Sequence, residues 1–430
     1  MGIKYDKLAF IAWFTPVSGG WGLPLLWTGS PGLAKTAKNK GWAKHFLSPF
    51  LHLSPGQKGD GYFGVVPVPY TNKHGRDVLK FPINDDIDRL IEVGHGLILA
   101  DELRSAPGIV RPALLGLFQE RVFGDEQLPV GIRVWAASNA TKEAVNGRAL
   151  SAPEANRACH IKWPSPTAKE MMQYGVSSSA EPAFADCIEP NYSGYKTEFG
   201  KIEAAVLADR QAQRGRAMAE IFGGFIDRYD SAKGDILHKQ PEANSPMSDG
   251  PWPSPRSWTN VADVLATYRT LRHLGFIACE GHESDDLELG ELIRGCVGPI
   301  GGELMEWLRE QDIPDYALWL DGKLTGDAAP KFERGRDDRT LVIMTGSATH
   351  ILSLPKGSPE RKRRVAAFWK HALHLSPISG LETVLSGAKL ILKNATESGD
   401  LSDLSSPDGQ KFTADYRALT ARIAAGGDGD

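Results

Sequence analysis

The stretch Gly29-Ser30-Pro31-Gly32-Leu33-Ala34-Lys35-Thr36 fits the phosphate-loop pattern G-x-x-x-x-G-K-[ST] at every defining position except one, where Ala34 replaces the second glycine. An apolar run of strand length, residues 23–27, precedes it, and residues 37–46 can form a helix. A turn between a strand and a helix directs backbone N–H groups and the positive helix end at phosphate oxygens. We therefore expect these loop residues to bind a nucleotide, with Lys35 at the β and γ phosphates and Thr36 on Mg²⁺. The alternative is a Gly/Pro turn that fits by chance.

Length and composition describe the class of protein. A chain of 430 residues exceeds one ordinary core, so two or three domains are expected, and a hydrophobic content of 41% is enough to fill them. The formal net charge is -4. No global basic field therefore indicates a nucleic-acid partner, although a local basic channel stays open.

The cysteines and the apolar runs bear on the compartment. Cys159, Cys187, Cys279 and Cys296 are far apart and form no CxxC pair, which argues against a zinc ribbon or a secreted disulfide framework. No stretch reaches about 18 uninterrupted apolar residues, and the first residues lack the layout of a signal peptide. The sequence therefore predicts a cytoplasmic protein with reduced thiols and no membrane segment.

The first part of the chain has the alternating pattern of an α/β domain with a parallel sheet. The apolar runs that predict its strands are residues 23–27, 96–100, 132–137 and 160–163. A Gly- and Pro-rich stretch, residues 53–82, is too long for a tight connection, so we interpret it as an insertion. Gly124-Asp125 between strand-like flanks predicts a hairpin over residues 121–128.

Four parts of the chain follow from these patterns. Residues 1–170 are expected to be the nucleotide-binding domain, 171–255 a connector and helical segment, 256–334 a helical lid, and 335–430 a helical extension with a polar tail. Within the connector, apolar residues at helical spacing predict a buried stripe. Its members are Ile202, Ala205, Leu207, Ala217, Ile221 and Phe225.

Two acids follow the second apolar strand, at Asp101 and Glu102. At a strand's C-terminal end, Asp101 can hold Mg²⁺ through its water shell while Glu102 polarises the water that attacks the γ-phosphate. Two acids after an apolar run are also common in solvated loops. The phosphate loop upstream favours the catalytic interpretation.

Polar residues near the next two strands complete the candidate site. Asn139 ends the strand over residues 132–137 and is expected to orient water at the γ-phosphate, the alternative being an Asn turn cap. Arg157 lies just before the last strand, where a cation can project into a neighbouring subunit's site. Arg148 is the rival for this role.

With these motifs together, the chain resembles a MoxR-type AAA+ ATPase. The segments that carry the resemblance are Pro31-Gly32-Leu33-Ala34-Lys35-Thr36, Leu99-Ala100-Asp101-Glu102-Leu103, Pro153-Glu154-Ala155-Asn156-Arg157 and Ser254-Pro255-Arg256. The resemblance implies a P-loop AAA+ αβα domain with a parallel sheet, a helical lid and ATP hydrolysis with Mg²⁺. It also implies that Arg157 lies in the arginine-finger region and that Arg256 contacts the γ-phosphate in cis. Ala140 and Ala158 stand where the family usually has Pro and Phe.

The same resemblance implies an assembly. Members of the family form rings, commonly hexamers, and remodel a protein client, often with a partner that has a von Willebrand factor A domain. Tyr62-Phe63-Gly64 in the insertion is an aromatic-glycine loop that we expect either to face a central pore and touch the client, or to cover the insertion's own small core.

Two other functions use the same site. A nucleic-acid motor or loader of the superfamily would need a basic pore lining, for which Lys73, His74 and Arg76 are the candidates in the insertion. A nucleotide-switched scaffold would assemble on ATP and signal by binding. The chaperone-like remodeller is the leading hypothesis, and nucleic acid is not expected to be the partner.

Overall fold

The computed structural model of the chain describes residues 4–54, 58–139, 148–164, 194–226, 229, 235–242, 245, 248–279, 282–311, 313–314, 316–324, 329–398 and 401–424. The chain divides into two compact units. The first comprises Met1–Ala208, His238–Gly281 and Asp285–Gly302, and the second Asp209–Leu237, His282–Ser284 and Glu303–Asp430. The division into four parts stays a prediction.

The strands all belong to the first unit. In chain order they are β1 Pro16–Val17, β2 Gly20–Trp21, β3 Leu25–Thr28, β4 Phe50–Leu53, β5 Val68–Thr71, β6 Asp77–Lys80, β7 His95–Ala100, β8 Val122–Phe123, β9 Glu126–Gln127, β10 Gly131–Ser138 and β11 Cys159–Lys162. Five of them form one parallel sheet in the order β11-β3-β10-β7-β4, and the others pair as antiparallel ribbons. The predicted α/β fold and the predicted hairpin at Gly124-Asp125 are confirmed.

The helices flank the sheet and form the second unit. They are α1 Tyr5–Trp13, α2 Lys35–His45, α3 Asp85–Val93, α4 Arg111–Gln119, α5 Ala152–Ala155, α6 Tyr195–Glu198, α7 Gly200–Met218, α8 Pro255–His273, α9 Leu287–Val297, α10 Ile300–Gln311, α11 Tyr316–Leu320, α12 Asp337–Ser353, α13 Pro359–Ser379, α14 Leu381–Ser398 and α15 Pro407–Ala424. A π-helical turn, Ala219–Ile226, continues α7. Gly298, which has φ of 76°, separates α9 from α10.

The central strand β10 aligns the ends of its neighbours. All of its residues are buried, and it pairs with β3 through Ser138 opposite Thr28 and with β7 through Ala136 opposite Ala100. Parallel strands present their carboxyl ends at one edge of a sheet. The segments after Thr28, Ala100 and Ser138 therefore begin side by side.

One strand of the sheet, β4, was not predicted. Phe50–Leu53 is a four-residue edge strand with three half-buried positions. Such a short segment has little periodic signal. Pairing with β7 makes this segment a strand. Leu53, the first residue of the predicted insertion, therefore belongs to the sheet.

Aromatic residues of the insertion differ in burial. Phe63 is fully buried within the main core of the first unit, and the Tyr62 hydroxyl donates to Asp86 Oδ2 over 2.5 Å. The pore-facing hypothesis is therefore wrong for Phe63, which packs in the main core and not in a small core of the insertion. Tyr62 is half-buried against the same core, and its contact with a client stays a prediction. Beyond them, β5 and β6 form an antiparallel hairpin whose strand residues are all exposed.

The stripe predicted before Asp230 is only partly buried. Ile202, Ala217, Ile221 and Phe225 are buried, but Leu207 is 55% exposed and its neighbour Val206 is buried instead. The prediction for Leu207 is wrong because Val206, the preceding residue of the helix, faces the core instead.

The second unit is a helical bundle. Its core side chains come from α11 to α15 and include Trp319, Ile343, Phe368, Trp369, Ile391 and Phe412. Arg361 forms a buried ion pair with Asp403, and hydrogen bonds from Arg364 and Arg363 hold the pKa of Asp321 well below its usual range. None of the helices in the described part of the chain is long and apolar enough to span a bilayer.

We predict that Phe63→Ala destabilises the first unit, because it removes a fully buried ring. The expected loss is about 3–5 kcal/mol of unfolding free energy. Urea unfolding followed by tryptophan fluorescence measures it. Tyr70→Ala is the matched control, since Tyr70 is 52% exposed and should change stability little. An equal effect of the two substitutions would contradict the core assignment of Phe63.

Candidate nucleotide-binding site

The phosphate loop joins β3 to α2 in the expected way. Ser30, Pro31, Gly32 and Ala34 face solvent, and α2 begins at Lys35. No side-chain bond caps its start, and no acidic residue lies in its first turn. A helix N-terminus of this kind binds anions through its backbone N–H groups and its dipole.

Two residues of the loop have left-handed backbone conformations. Gly32 has φ of 78°, which glycine adopts at little cost. Ala34 has φ of 57° at the position where the pattern expects the second glycine. Alanine tolerates this conformation at a cost of about 1 kcal/mol. The substitution therefore keeps the glycine geometry and stores strain in the loop.

Lys35 lies at the centre of the loop and is buried. Its ammonium group donates to the carbonyl oxygens of Gly29 and Ser30 over 2.8 and 2.9 Å, and to Asn139 Oδ1 over 3.0 Å. The structure thus brings together the loop lysine and the polar residue at the end of β10, as the sequence predicts.

Trp163 supports the loop from the edge strand β11. Its indole Nε1 donates to the Leu33 carbonyl oxygen over 2.9 Å. A Cβ added to Gly29 would lie 2.7 Å from Trp163 Cβ, so only glycine fits at this first loop position. The sequence does not predict this contact, because Trp163 belongs to no motif and lies far along the chain from the loop.

Asp101 makes three hydrogen bonds at the end of β7. It accepts from Thr36 Oγ1 over 2.6 Å, and His52 Nε2 lies 3.0 Å from the same carboxylate oxygen. The Glu102 backbone N–H donates to the other oxygen over 2.9 Å. Burial alone would raise the pKa of Asp101, but the hydrogen bonds from His52, Thr36 and Glu102 outweigh it and lower the pKa. Asp101 is therefore an anion at neutral pH.

Glu102 follows with an exposed side chain and φ of 56°. A non-glycine residue in this region is uncommon and costs about 1–3 kcal/mol where strain is held by the surroundings. The Glu102 side chain is exposed in the turn that follows the buried strand, one residue after Asp101. A water-polarising carboxylate needs such an accessible position.

Thr36 and Asp101 fit a magnesium ion. A hydroxyl and a carboxylate are hard oxygen ligands, and Mg²⁺ in nucleotide sites is held by one or two such groups together with waters and phosphate oxygens. The described residues include no group of three or more His, Cys, Asp or Glu that could hold a metal without a substrate. The donor set thus fits Mg²⁺ bound with a nucleotide.

The sequence also did not indicate the ion pair between Arg104 and Asp249, close to the acidic residues Asp101 and Glu102. Arg104 donates from Nε and Nη2 to Asp249 Oδ1 over 3.2 and 3.1 Å, and from Nη1 to Thr28 Oγ1 over 3.3 Å. The same Asp249 oxygen accepts from the Leu150 backbone N–H over 2.8 Å. The pair therefore ties the turn after Glu102 to the end of the loop strand and to the segment before α5.

Arg157 and Arg256 lie close together. Burial and the charge of Arg157 lower the pKa of Arg256, and Glu120 offsets part of this. Ser254 Oγ donates to Asn156 Oδ1 over 2.8 Å, which fixes the start of α8 beside α5.

Arg157 lies two residues before the N-terminal end of β11. The C-terminal residue of β11, Lys162, pairs with Thr28 beside the loop. Three residue steps of β11, about 10 Å, separate the two ends. The contact of Arg256 with the γ-phosphate of its own subunit stays a prediction. Arg148 is exposed, and its backbone N–H donates to the Arg104 carbonyl oxygen over 3.1 Å.

Comparison with known proteins gives no matching family model and no matching curated protein. Among solved structures, a Cytophaga hutchinsonii protein provisionally assigned as an ATPase is similar at 17% identity and a TM-score of 0.38, over 63% of this chain and 75% of that chain. At these values the likeness carries no argument about function. The functional assignment therefore depends on the site itself.

We predict that two loop substitutions differ in their effect on nucleotide binding. Ala34→Gly removes the left-handed strain and should leave nucleotide binding intact, while Gly32→Ala introduces the same strain, about 1 kcal/mol, and should weaken binding. Open space surrounds Gly32, so the difference reports backbone conformation and not a clash. Titration with a fluorescent ATP analogue measures binding. Loss of binding in Ala34→Gly would show that the loop needs the alanine methyl group.

Proposed function

We propose that this protein is an Mg²⁺-dependent ATPase of the MoxR-like AAA+ type. The observation that carries the proposal is the convergence of four side chains from three strand ends: Lys35 with Asn139, and Thr36 with Asp101, all within 3.0 Å of their partners. Phosphoryl transfer requires positioning and charge stabilisation more than covalent chemistry. The proposed site supplies a cation, a metal-binding pair and a water-orienting amide.

Each side chain has a proposed role. Lys35 exchanges its loop carbonyl and Asn139 partners for phosphate oxygens, and the N-terminus of α2 donates backbone N–H groups to them. Thr36 and Asp101 hold Mg²⁺, which neutralises charge that develops between the β and γ phosphates. Glu102 accepts a proton from the attacking water, and Asn139 orients that water.

The arginine pair supports an assembly. Arg157 lies beside Arg256, and we propose that Arg157 acts on the nucleotide of a neighbouring subunit while Arg256 contacts the γ-phosphate of its own. Such a head-to-tail contact closes into a ring, for which we propose six copies. The ring is proposed to remodel a protein client in a chaperone-like way, with a von Willebrand factor A domain protein as the partner.

We predict that Glu102→Gln binds ATP but hydrolyses it about 100-fold more slowly or worse, because it loses the general base but keeps the phosphate contacts. Lys35→Ala should fail to bind. Phosphate release measures turnover, and a fluorescent ATP analogue measures binding.

Two substitutions are matched controls for this experiment. Lys38→Ala removes an exposed lysine of the same helix, whose ion pair with Asp6 is at the surface, and Glu92→Gln removes an exposed acid. Both should retain activity. Normal turnover in Glu102→Gln would contradict the proposed chemistry.

A second prediction concerns the arginine pair. Mixing Arg157→Ala protein with Lys35→Ala protein should restore hydrolysis, because mixed rings contain sites that combine an intact loop with an intact neighbouring arginine. Lys35→Ala mixed with the Arg157→Ala/Lys35→Ala double variant is the control and should stay inactive. Light scattering confirms that the proteins assemble together. No rescue in such mixtures would favour a cis role for Arg157, or Arg148 as the trans residue.

A further inference from the structure

The hairpin formed by β5 and β6 exposes an unusual amount of apolar surface. Large apolar side chains that are 36% to 66% exposed cluster on it and at its base: Val66, Val68, Tyr70, Val78, Leu79 and Phe81. Clustered exposed apolar residues mark interaction sites more often than isolated ones. A two-stranded hairpin is also marginally stable alone. The hairpin therefore depends on contacts with the rest of the protein for its stability. Its exposed apolar surface is a candidate site for binding a partner.

The second hairpin supplies these contacts. Asp125 accepts from the Phe81 backbone N–H over 2.7 Å, and the Asp125 N–H donates to the Phe81 carbonyl oxygen over 3.0 Å. Gly124 has φ of 57° and packs against the same carbonyl, where a Cβ would lie at 2.5 Å. These contacts hold the base of the hairpin, so its strands project as a fixed element.

The register shows which backbone groups point outward. Asn72 N–H donates to the Arg76 carbonyl oxygen over 2.9 Å, which makes these residues a hydrogen-bonded pair. Because such pairs alternate along an antiparallel ladder, Tyr70 and Val78 form the next one, and Leu79 directs its N–H and C=O to the outer edge of β6. On β5 the corresponding outward residue is Pro69, which has no N–H to offer. Pro69 therefore interrupts the outward N–H groups of β5, which leaves Thr71 there, whereas the outer edge of β6 presents those of both Asp77 and Leu79.

The charge at the tip is mostly positive. Lys73 and Arg76 are exposed at the tip, and the nearest acid on the hairpin, Asp77, accepts from Thr71 Oγ1 over 2.7 Å. Lys80 lies at the base, where its ammonium group is 3.8 Å from Glu126 Oε1. This basic end lies on a chain whose formal net charge is -4. An occupant of the hairpin edge is therefore favoured if it carries carboxylates.

We propose that the outer edge of β6 binds an extended, acidic polypeptide segment of a partner protein by strand addition. The open N–H and C=O of Leu79 pair with the partner's backbone, Leu79 supplies apolar contact, and Lys73 and Arg76 contact carboxylates. An open peptide edge with aliphatic side chains suits a polypeptide better than a phosphate backbone. The inference deepens the client-binding part of the proposed function, because it names the chemistry of the client.

The test uses the full chain and a fluorescein-labelled peptide of alternating valine and glutamate, without nucleotide. Leu79→Pro removes the outward N–H and the leucine side chain together, whereas Leu79→Ala removes the side chain alone, and Lys73→Glu with Arg76→Glu reverses the tip charge. Leu79→Pro and the charge reversal should each weaken peptide binding about tenfold, which corresponds to roughly 1.4 kcal/mol, and Leu79→Ala should weaken it less. Fluorescence anisotropy measures the affinity, and circular dichroism shows that the variants are folded.

Matched controls lie elsewhere on the surface. Leu207→Ser removes a side chain that is 55% exposed on α7, and Lys370→Glu reverses an exposed charge on α13. Neither should change peptide binding. Equal binding of a lysine-for-glutamate peptide or of labelled oligothymidylate would overturn the proposal, as would hairpin variants that change only the oligomeric state. Peptide binding by a protein without ATPase activity would overturn the proposed function and not this inference.

Discussion

The register of the central strand β10 is the constraint on which the candidate site depends. Ser138 lies opposite Thr28, and Ala136 lies opposite Ala100. The phosphate loop, the acidic pair and Asn139 each follow one of these strand ends. A shift of a single residue would turn every side chain of β10 to the other face of the sheet and separate Asn139 from Lys35. The site therefore exists only while this buried strand keeps its pairing on both sides.

Strain is held at two positions of the site, and packing compensates for it. Ala34 and Glu102 both have positive φ without being glycine, and each conformation costs about 1 kcal/mol or more. Trp163 supports the loop at Leu33, and the buried Arg104 pairs with the partly buried Asp249 beside the turn after Glu102. These contacts hold the backbone of the loop and of the turn in place. Preorganisation of this kind lowers the cost of charge stabilisation in phosphoryl transfer.

The insertion shows how tertiary contacts divide similar residues between core and surface. Phe63 packs with Ile87 and Leu90 in the main core, whereas Tyr70 extends into solvent. Both aromatic residues lie in the same Gly- and Pro-rich stretch, and local composition does not distinguish them. The neighbouring hairpin decides the difference, because Asp125 fixes where the insertion leaves the core.

The sequence by itself determined the α/β fold, most strands of the sheet and the residues of the loop and the acidic pair. These features depend on local backbone preference and on chemistry that needs fixed residue types at fixed spacing, as for Lys35 and Asp101. Tertiary structure alone decided that His52, Trp163 and Asp249 support the site, that β4 is a strand, and that Arg256 lies beside Arg157. Those partners are distant in the sequence, and their contacts depend on the order of strands in the sheet. That order follows from the packing of the whole core, which no short segment encodes.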